Sequence, residues 1–252
     1  MMQTHLHFNM HIGRKKPESI TNRETACPFC DTDNLTDILE RRGSMIWLMN
    51  KFPVLQDTYQ TVLIESDDCD GDWSVYSKEH AHELLAFGLE KWLELDDSGA
   101  FQSVLFFKNH GPYSGGSIRH PHMQIVGLNK YDYRSQVKES DFEGVLIDRA
   151  RGVELNLSSH PRAGFYEYNV ILSNWDGLPR MAEYLQILAH WILHHANRRC
   201  LSYNFFFYRS NGRIIAKAVP RFVTSPLYIG YSIPQVANNL EEVAAEIRRQ
   251  YF

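Results

Sequence analysis

Two histidines flank a proline in His120-Pro121-His122, and Gln124 stands two residues beyond. They follow a loop holding Gly111, Gly115 and Gly116. A neutral imidazole next to a glycine loop can attack a phosphorus whose oxygens are held by backbone N–H groups. Pro121 fixes its φ and stiffens the link between the histidines. The amide of Gln124 can donate to a phosphate oxygen as negative charge develops on it. A second constellation is Cys27-Pro28-Phe29-Cys30. A CxxC pair serves metal or redox chemistry. The redox form sits at a helix start after a strand, and residues 20–36 show no strand before the pair, so metal is favoured. Two cysteines make half of a tetrahedral zinc site.

These residues need strands to hold them. Residues 104–107 and 122–128 are apolar, strand-like runs on either side of the glycine loop. Alternation along a strand places His120, His122 and Gln124 on one face, over the mouth of that loop. Residues 44–48 and 59–66 read as two further strands, the second rich in β-branched and aromatic residues. Ser77 is the expected cap of a helix over 77–95, with Leu84, Leu85, Leu89, Trp92 and Leu93 on its apolar face.

The pattern then repeats. Residues 144–147 and 153–157 read as a hairpin. Residues 165–172, 179–197, 203–208 and 214–222 follow as strand, helix, strand and strand, and 239–249 as a terminal helix. The pseudo-repeat predicts an α+β protein of two tandem halves, 1–130 and 131–252, each an antiparallel sheet with packed helices. The second half is degenerate, because it lacks the glycine–histidine cluster.

With Asn109, Ser117, the three loop glycines, HPHMQ, the CPFC run and Asn50-Lys51-Phe52-Pro53 in this order, the chain resembles the galactose-1-phosphate uridylyltransferase family. That family is the nucleotidyltransferase branch of the histidine-triad superfamily. The resemblance implies a HIT-like fold in each half and a transferase acting through a covalent nucleotidyl-histidine on His122, with Gln124 assisting. It implies nucleotide and phosphate contacts from Asn50, Phe52, Asn109, Gly115, Gly116 and Ser117. It also implies a structural zinc ion, one per chain, on Cys27, Cys30 and His120. Cys69 falls where the family supplies the fourth ligand from a histidine, giving a Cys₃His set; the alternative is three buried thiols without metal. Met123 departs from the family's glycine, which leaves the substrate open. Arg213 and Ile215 stand where the family has another HxH. Arg14 and Arg23 read as solvated surface rather than phosphate contacts.

The expected partners are a nucleotide or nucleotide sugar and a phosphorylated acceptor. A dinucleoside polyphosphate phosphorylase or hydrolase, and a nucleotide-binding sensor without turnover, are the alternatives. Family members often dimerise, so a homodimer is allowed. The net charge of −4 gives no reason to expect nucleic-acid binding. No apolar run reaches membrane-span length, and the N-terminus is not a signal peptide, so the expected location is cytoplasmic. Disulfides are not expected there.

Overall fold

The structure, a computed structural model, describes residues 5–196 and 200–252. It divides into two compact units, the first holding residues up to Asp72 with Ala86–Gln136, the second Trp73–Leu85 with Val137–Phe252.

The first unit carries five antiparallel strands: β1 (Ile38–Arg42), β2 (Met45–Met49), β3 (Thr58–Ile64), β4 (Ser103–His110) and β5 (His122–Leu128). Their spatial order is β1-β2-β3-β5-β4, so β5 lies between β3 and β4. The register sets Val62 opposite Gln124 and Ile64 opposite His122, and directly opposed residues share a face. On that face Ile46, Leu48, Val62 and Ile64 form a buried cluster against which Phe29, Leu35 and Ile38 pack. The CxxC segment is thereby laid on the sheet next to β5. On another side, helix residues from Ala86 onward cover Phe106. Trp92 donates its indole N–H to the Val104 carbonyl at 2.8 Å, and a Cβ at Gly88 would lie 2.5 Å from the Phe106 ring. Only glycine admits that approach.

The helix, α2 (Lys78–Asp97), starts as expected, with the Ser77 hydroxyl accepting from the His80 N–H at 3.1 Å. His80 and His82 are half-buried, and His80 packs edge-on against Tyr76 at 4.8 Å. The strand β1 has no counterpart in the sequence reading. The N-terminal stretch makes one bridge, Phe8 to Leu55, and then a short helix, α1 (Met10–Gly13), capped by the Asn9 side chain.

The second unit carries β6 (Gly144–Ala150), β7 (Val153–Ser158), β8 (Tyr168–Leu172), β9 (Tyr203–Ser210) and β10 (Arg213–Pro220), in the antiparallel order β9-β10-β8-β7-β6. Helix α3 (Leu178–Trp191) buries Met181, Tyr184, Leu185, Leu188 and Trp191. It passes into a π turn, Ile192–Ala196; Asn197, the expected end of this helix, lies outside the described residues. A short helix, α4 (Pro226–Tyr231), and the terminal α5 (Leu240–Tyr251) complete the unit. Ile215 is fully buried with Phe142 and Ile171, and Arg213 pairs with Glu139 at 2.6 Å, so both positions of the lost HxH have structural partners.

Candidate functional site

Strand β5 begins at His122, not before it, so alternation holds only from that residue onward. His122 and Gln124 share a face as expected. His120 does not join them: its ring turns to the cysteines. Its Nδ1 lies 3.6 Å from Cys27 Sγ and 3.4 Å from Cys30 Sγ, and its Nε2–H donates to the Ser66 carbonyl at 2.8 Å. That donation leaves Nδ1 facing the sulfurs, where it donates to a thiolate while the ring is protonated and offers a lone pair to an ion once it is neutral.

The ligand atoms of Cys27, Cys30, Cys69 and His120 all lie within 4.8 Å of one another. Four ligands at ordinary zinc–sulfur and zinc–nitrogen lengths in a tetrahedron would stand roughly 3.5–3.8 Å apart. The observed edges to His120 fall close to that. The sulfurs are at odds with one another without a cation. Burial opposes the Cys27 thiolate, but hydrogen bonds, led by that from His120, bring its pKa down to about 6. Burial and the neighbouring Cys27 and Cys69 push Cys30 up to about 12. The Arg119 guanidinium donates to Cys69 Sγ at 3.6 Å and to Asp70 at 2.7 Å, which anchors the fourth ligand's turn. Donor set, spacing and oriented imidazole fit a structural metal ion.

His122 is 7% exposed. Its Nδ1–H donates to the backbone carbonyl of His120 at 2.8 Å, so Nε2 carries the lone pair. Burial, aided by the charges of Lys108 and Lys16, lowers its pKa to about 4, against the pull of the His120 carbonyl. The imidazole is neutral throughout the neutral range. The Phe29 ring stands edge-on to His122 at 5.4 Å and to His120 at 6.0 Å. Phe29, one of the two residues between the cysteines, therefore braces both imidazoles. Beneath them Lys108 and Glu65, both wholly buried, pair at 2.5 Å, and the Glu65 N–H donates to the Pro121 carbonyl.

The loop folds back on β4. Gly115 has φ +87°, a backbone conformation that favours glycine, and a Cβ at Gly116 would lie 3.2 Å from Asn109 Cβ. The Ser117 carbonyl accepts from the Ser19 N–H at 2.8 Å, while the buried Ser117 hydroxyl has no hydrogen-bond partner. Asn50 and Phe52 are less committed: the Asn50 carboxamide oxygen accepts from the Phe52 N–H at 2.9 Å and forms the turn after β2. Among the described residues no hydrogen bond or ring contact joins either one to His122.

Three participants escaped the sequence reading. Phe29 is one. Lys16, a desolvated cation whose charge reaches His122, is the second, whereas Arg14 and Arg23 are exposed. The third is Ser19, buried, which accepts from the Arg119 N–H at 3.0 Å and joins the N-terminal segment to the loop. Lys16 carried a signal only in the basic run Arg14-Lys15-Lys16, which equally suits solvent.

The fold is similar to that of two solved structures of known enzymes. It matches a uridylyltransferase structure with TM-score 0.70 at 18% identity, over 90% of this chain and 91% of that one. It matches an ADP-glucose phosphorylase from Arabidopsis thaliana, solved with bound ADP-glucose, with TM-score 0.72 at 16% identity, over 95% and 93%. At such identities the likeness is one of fold. Residues 8–131 match the N-terminal domain, and 134–252 the C-terminal domain, of the domain of unknown function DUF4931. A DUF4931 family protein from Bacillus cereus ATCC 10987 is 46% identical over 84% of this chain and 98% of its own, with TM-score 0.78. The chain belongs to the DUF4931 family. No curated protein matches it. Among the described residues no helix is long and apolar enough to cross a membrane.

Proposed function

We propose that this protein is a nucleotidyltransferase that works through a nucleotidyl-histidine on His122, with a nucleoside diphosphate sugar as donor. The observation that carries this is the held tautomer: a buried, neutral imidazole whose Nδ1–H is committed to the His120 carbonyl, with Nε2 left as nucleophile. Nε2 attacks the α-phosphorus. The P–N bond forms as the bond from that phosphorus to the bridging oxygen breaks, releasing the sugar 1-phosphate. A phosphate oxygen of the acceptor then attacks the same phosphorus and returns the electron pair to Nε2. Neither half-reaction needs a proton to leave the ring. The Gln124 amide donates to a non-bridging oxygen as charge grows. The unpartnered Ser117 hydroxyl suits the departing phosphate, Gly115 and Gly116 allow a close backbone approach to it, and Lys16 supplies positive charge.

The ion proposed for Cys27, Cys30, Cys69 and His120 is zinc, which in a closed Cys₃His set contributes folding energy and no open coordination position. The protein's own residues carry the chemistry. Cys27 and Cys30 hold Phe29 on the imidazoles, and His120 presents the carbonyl that orients His122. The acceptor is a sugar phosphate or inorganic phosphate. Structural likeness to an enzyme with bound ADP-glucose supports the nucleotide-sugar class. Intact mass after incubation with a panel of nucleotide sugars and dinucleotides tests the reading. A nucleoside monophosphate adduct is expected, and its mass names the base. Binding without any adduct would favour a sensor.

A further inference from the structure

The second unit holds a cavity of about 520 Å³, a size that takes small molecules. Its walls carry three arginines and three glutamates, so their formal charges cancel. Two of each are engaged with one another. Arg213 pairs with Glu139 at 2.6 Å, and Arg149 pairs with Glu154, whose other oxygen accepts from Asn156 at 2.7 Å. Arg151 and Glu143 remain. Both are solvent-exposed, and among the described residues neither side chain has a hydrogen bond or ion pair.

Arg151 holds its place at a conformational cost. With Gly152 it forms the two-residue turn between β6 and β7, where Ala150 pairs with Val153. Such a turn needs positive φ at both residues, and they have +52° and +74°. The turn between β9 and β10 has the same form, with φ +50° and +73°, but is made by Asn211 and Gly212. Asparagine suits that first position, and arginine does not. One hairpin therefore carries the favoured residue and the other a cation that lines the cavity. Backbone strain at a side chain without a protein partner points to a use outside folding.

We propose that this cavity binds a free apolar α-amino acid, its carboxylate on Arg151 and its ammonium on Glu143. The guanidinium fork matches a carboxylate in two parallel hydrogen bonds. Phe142, Val153 and Ile171 line the same cavity and offer apolar surface to the ligand's side chain. A phosphate would bring negative charge to walls with no excess of positive charge, whereas a zwitterion meets one free group of each sign.

The test is calorimetric titration of the full-length protein with L-phenylalanine and L-leucine, beside phenylacetate and phenethylamine, which each keep one of the two charges. One saturable equivalent of at least one amino acid is expected, with a raised thermal midpoint. Arg151→Asn should keep or raise the midpoint of the unliganded protein, because asparagine relaxes the turn, yet weaken amino-acid binding by about 10–100-fold, the usual effect of losing a charged hydrogen-bond partner. Glu143→Gln should weaken it comparably. No saturable binding of either amino acid by the parent, or parent-like affinity in either variant, would overturn the site. Phenylacetate or phenethylamine binding as tightly as L-phenylalanine would overturn the zwitterion assignment.

Discussion

Replacing Cys69 by serine removes one of the four ligand atoms and leaves the turn that carries it in place. What depends on the ion can be read from the contacts. The CxxC loop has no disulfide and little regular structure of its own, and Phe29 lies against Ile46, Leu48, Val62 and Ile64. Structural zinc in small domains is worth about 10–16 kcal/mol, but here a sheet with its own core shares the load. A loss of roughly 3–5 kcal/mol is expected, the range of a lost metal ligand or broken buried network. At about 2–4 °C per kcal/mol for a chain of this size, the thermal midpoint should fall by roughly 6–20 °C. Elemental analysis should find one zinc in the parent and much less in Cys69→Ser. Cys69→His, which restores a ligand, should recover both metal and stability. Cys200→Ser, at a buried thiol in the other unit, should leave zinc content unchanged. A parent with no zinc, and a Cys69→Ser variant as stable as it, would refute the reasoning.

Gln124→Ala should lower the rate of adduct formation by roughly 2–4 kcal/mol of transition-state stabilisation while leaving the adduct detectable by mass; an unchanged single-turnover rate would remove Gln124 from the mechanism. Acid should destabilise the fold through His110. Burial, with the charge of Lys108 and against that of Asp72, lowers its pKa to about 4. Between that value and about 6.5 the unfolded chain binds a proton that the folded chain refuses, so stability is full above 6.5 and declines as pH falls toward 4, by up to about 1.4 kcal/mol per pH unit. Urea melts at pH 7.5 and 5 should show this, and a His110→Asn variant should show a shallower decline; equal slopes would contradict it. Val223, Ile229 and Tyr231 are 87%, 72% and 74% exposed along one segment of the second unit, and we propose it as the interface of a homodimer. Light scattering should give twice the chain mass for the parent and the single mass for Ile229→Asp; a monomeric parent would end that proposal.

The motif residues were legible because their chemistry is tied to short spacings. His122, Gln124 and the loop glycines lie within one strand–loop–strand passage, and β5 runs over the residues its apolar pattern marks. Cys69 could be placed because it follows a strand clear enough to fix its position. What stayed hidden depends on contacts between distant segments. Strand β1 carries Glu40, Arg41 and Arg42, which no apolar alternation reveals. It is held by Lys91 pairing with Glu40 at 2.7 Å and by the Arg42 guanidinium over the Phe87 ring at 4.2 Å. The orientation of His120 follows from the Ser66 carbonyl, 54 residues away. Lys16 becomes part of the site only once Ser19 has joined the N-terminal segment to the loop. Periodicity reports burial along one element and is silent about which cation a fold-back will bury.

The central claim is that Nε2 of His122 takes the nucleotidyl group. The direct measurement is peptide mapping of the protein after reaction with the nucleotide sugar that gives an adduct, run beside His122→Gly with and without added imidazole. An acid-labile nucleoside monophosphate on His122 is expected in the parent. His122→Gly should show no adduct and no transfer, with nucleotide affinity kept, and imidazole that fills the vacated space should restore part of the turnover. An adduct on another residue, or a His122→Gly variant that transfers as fast as the parent, would contradict the account.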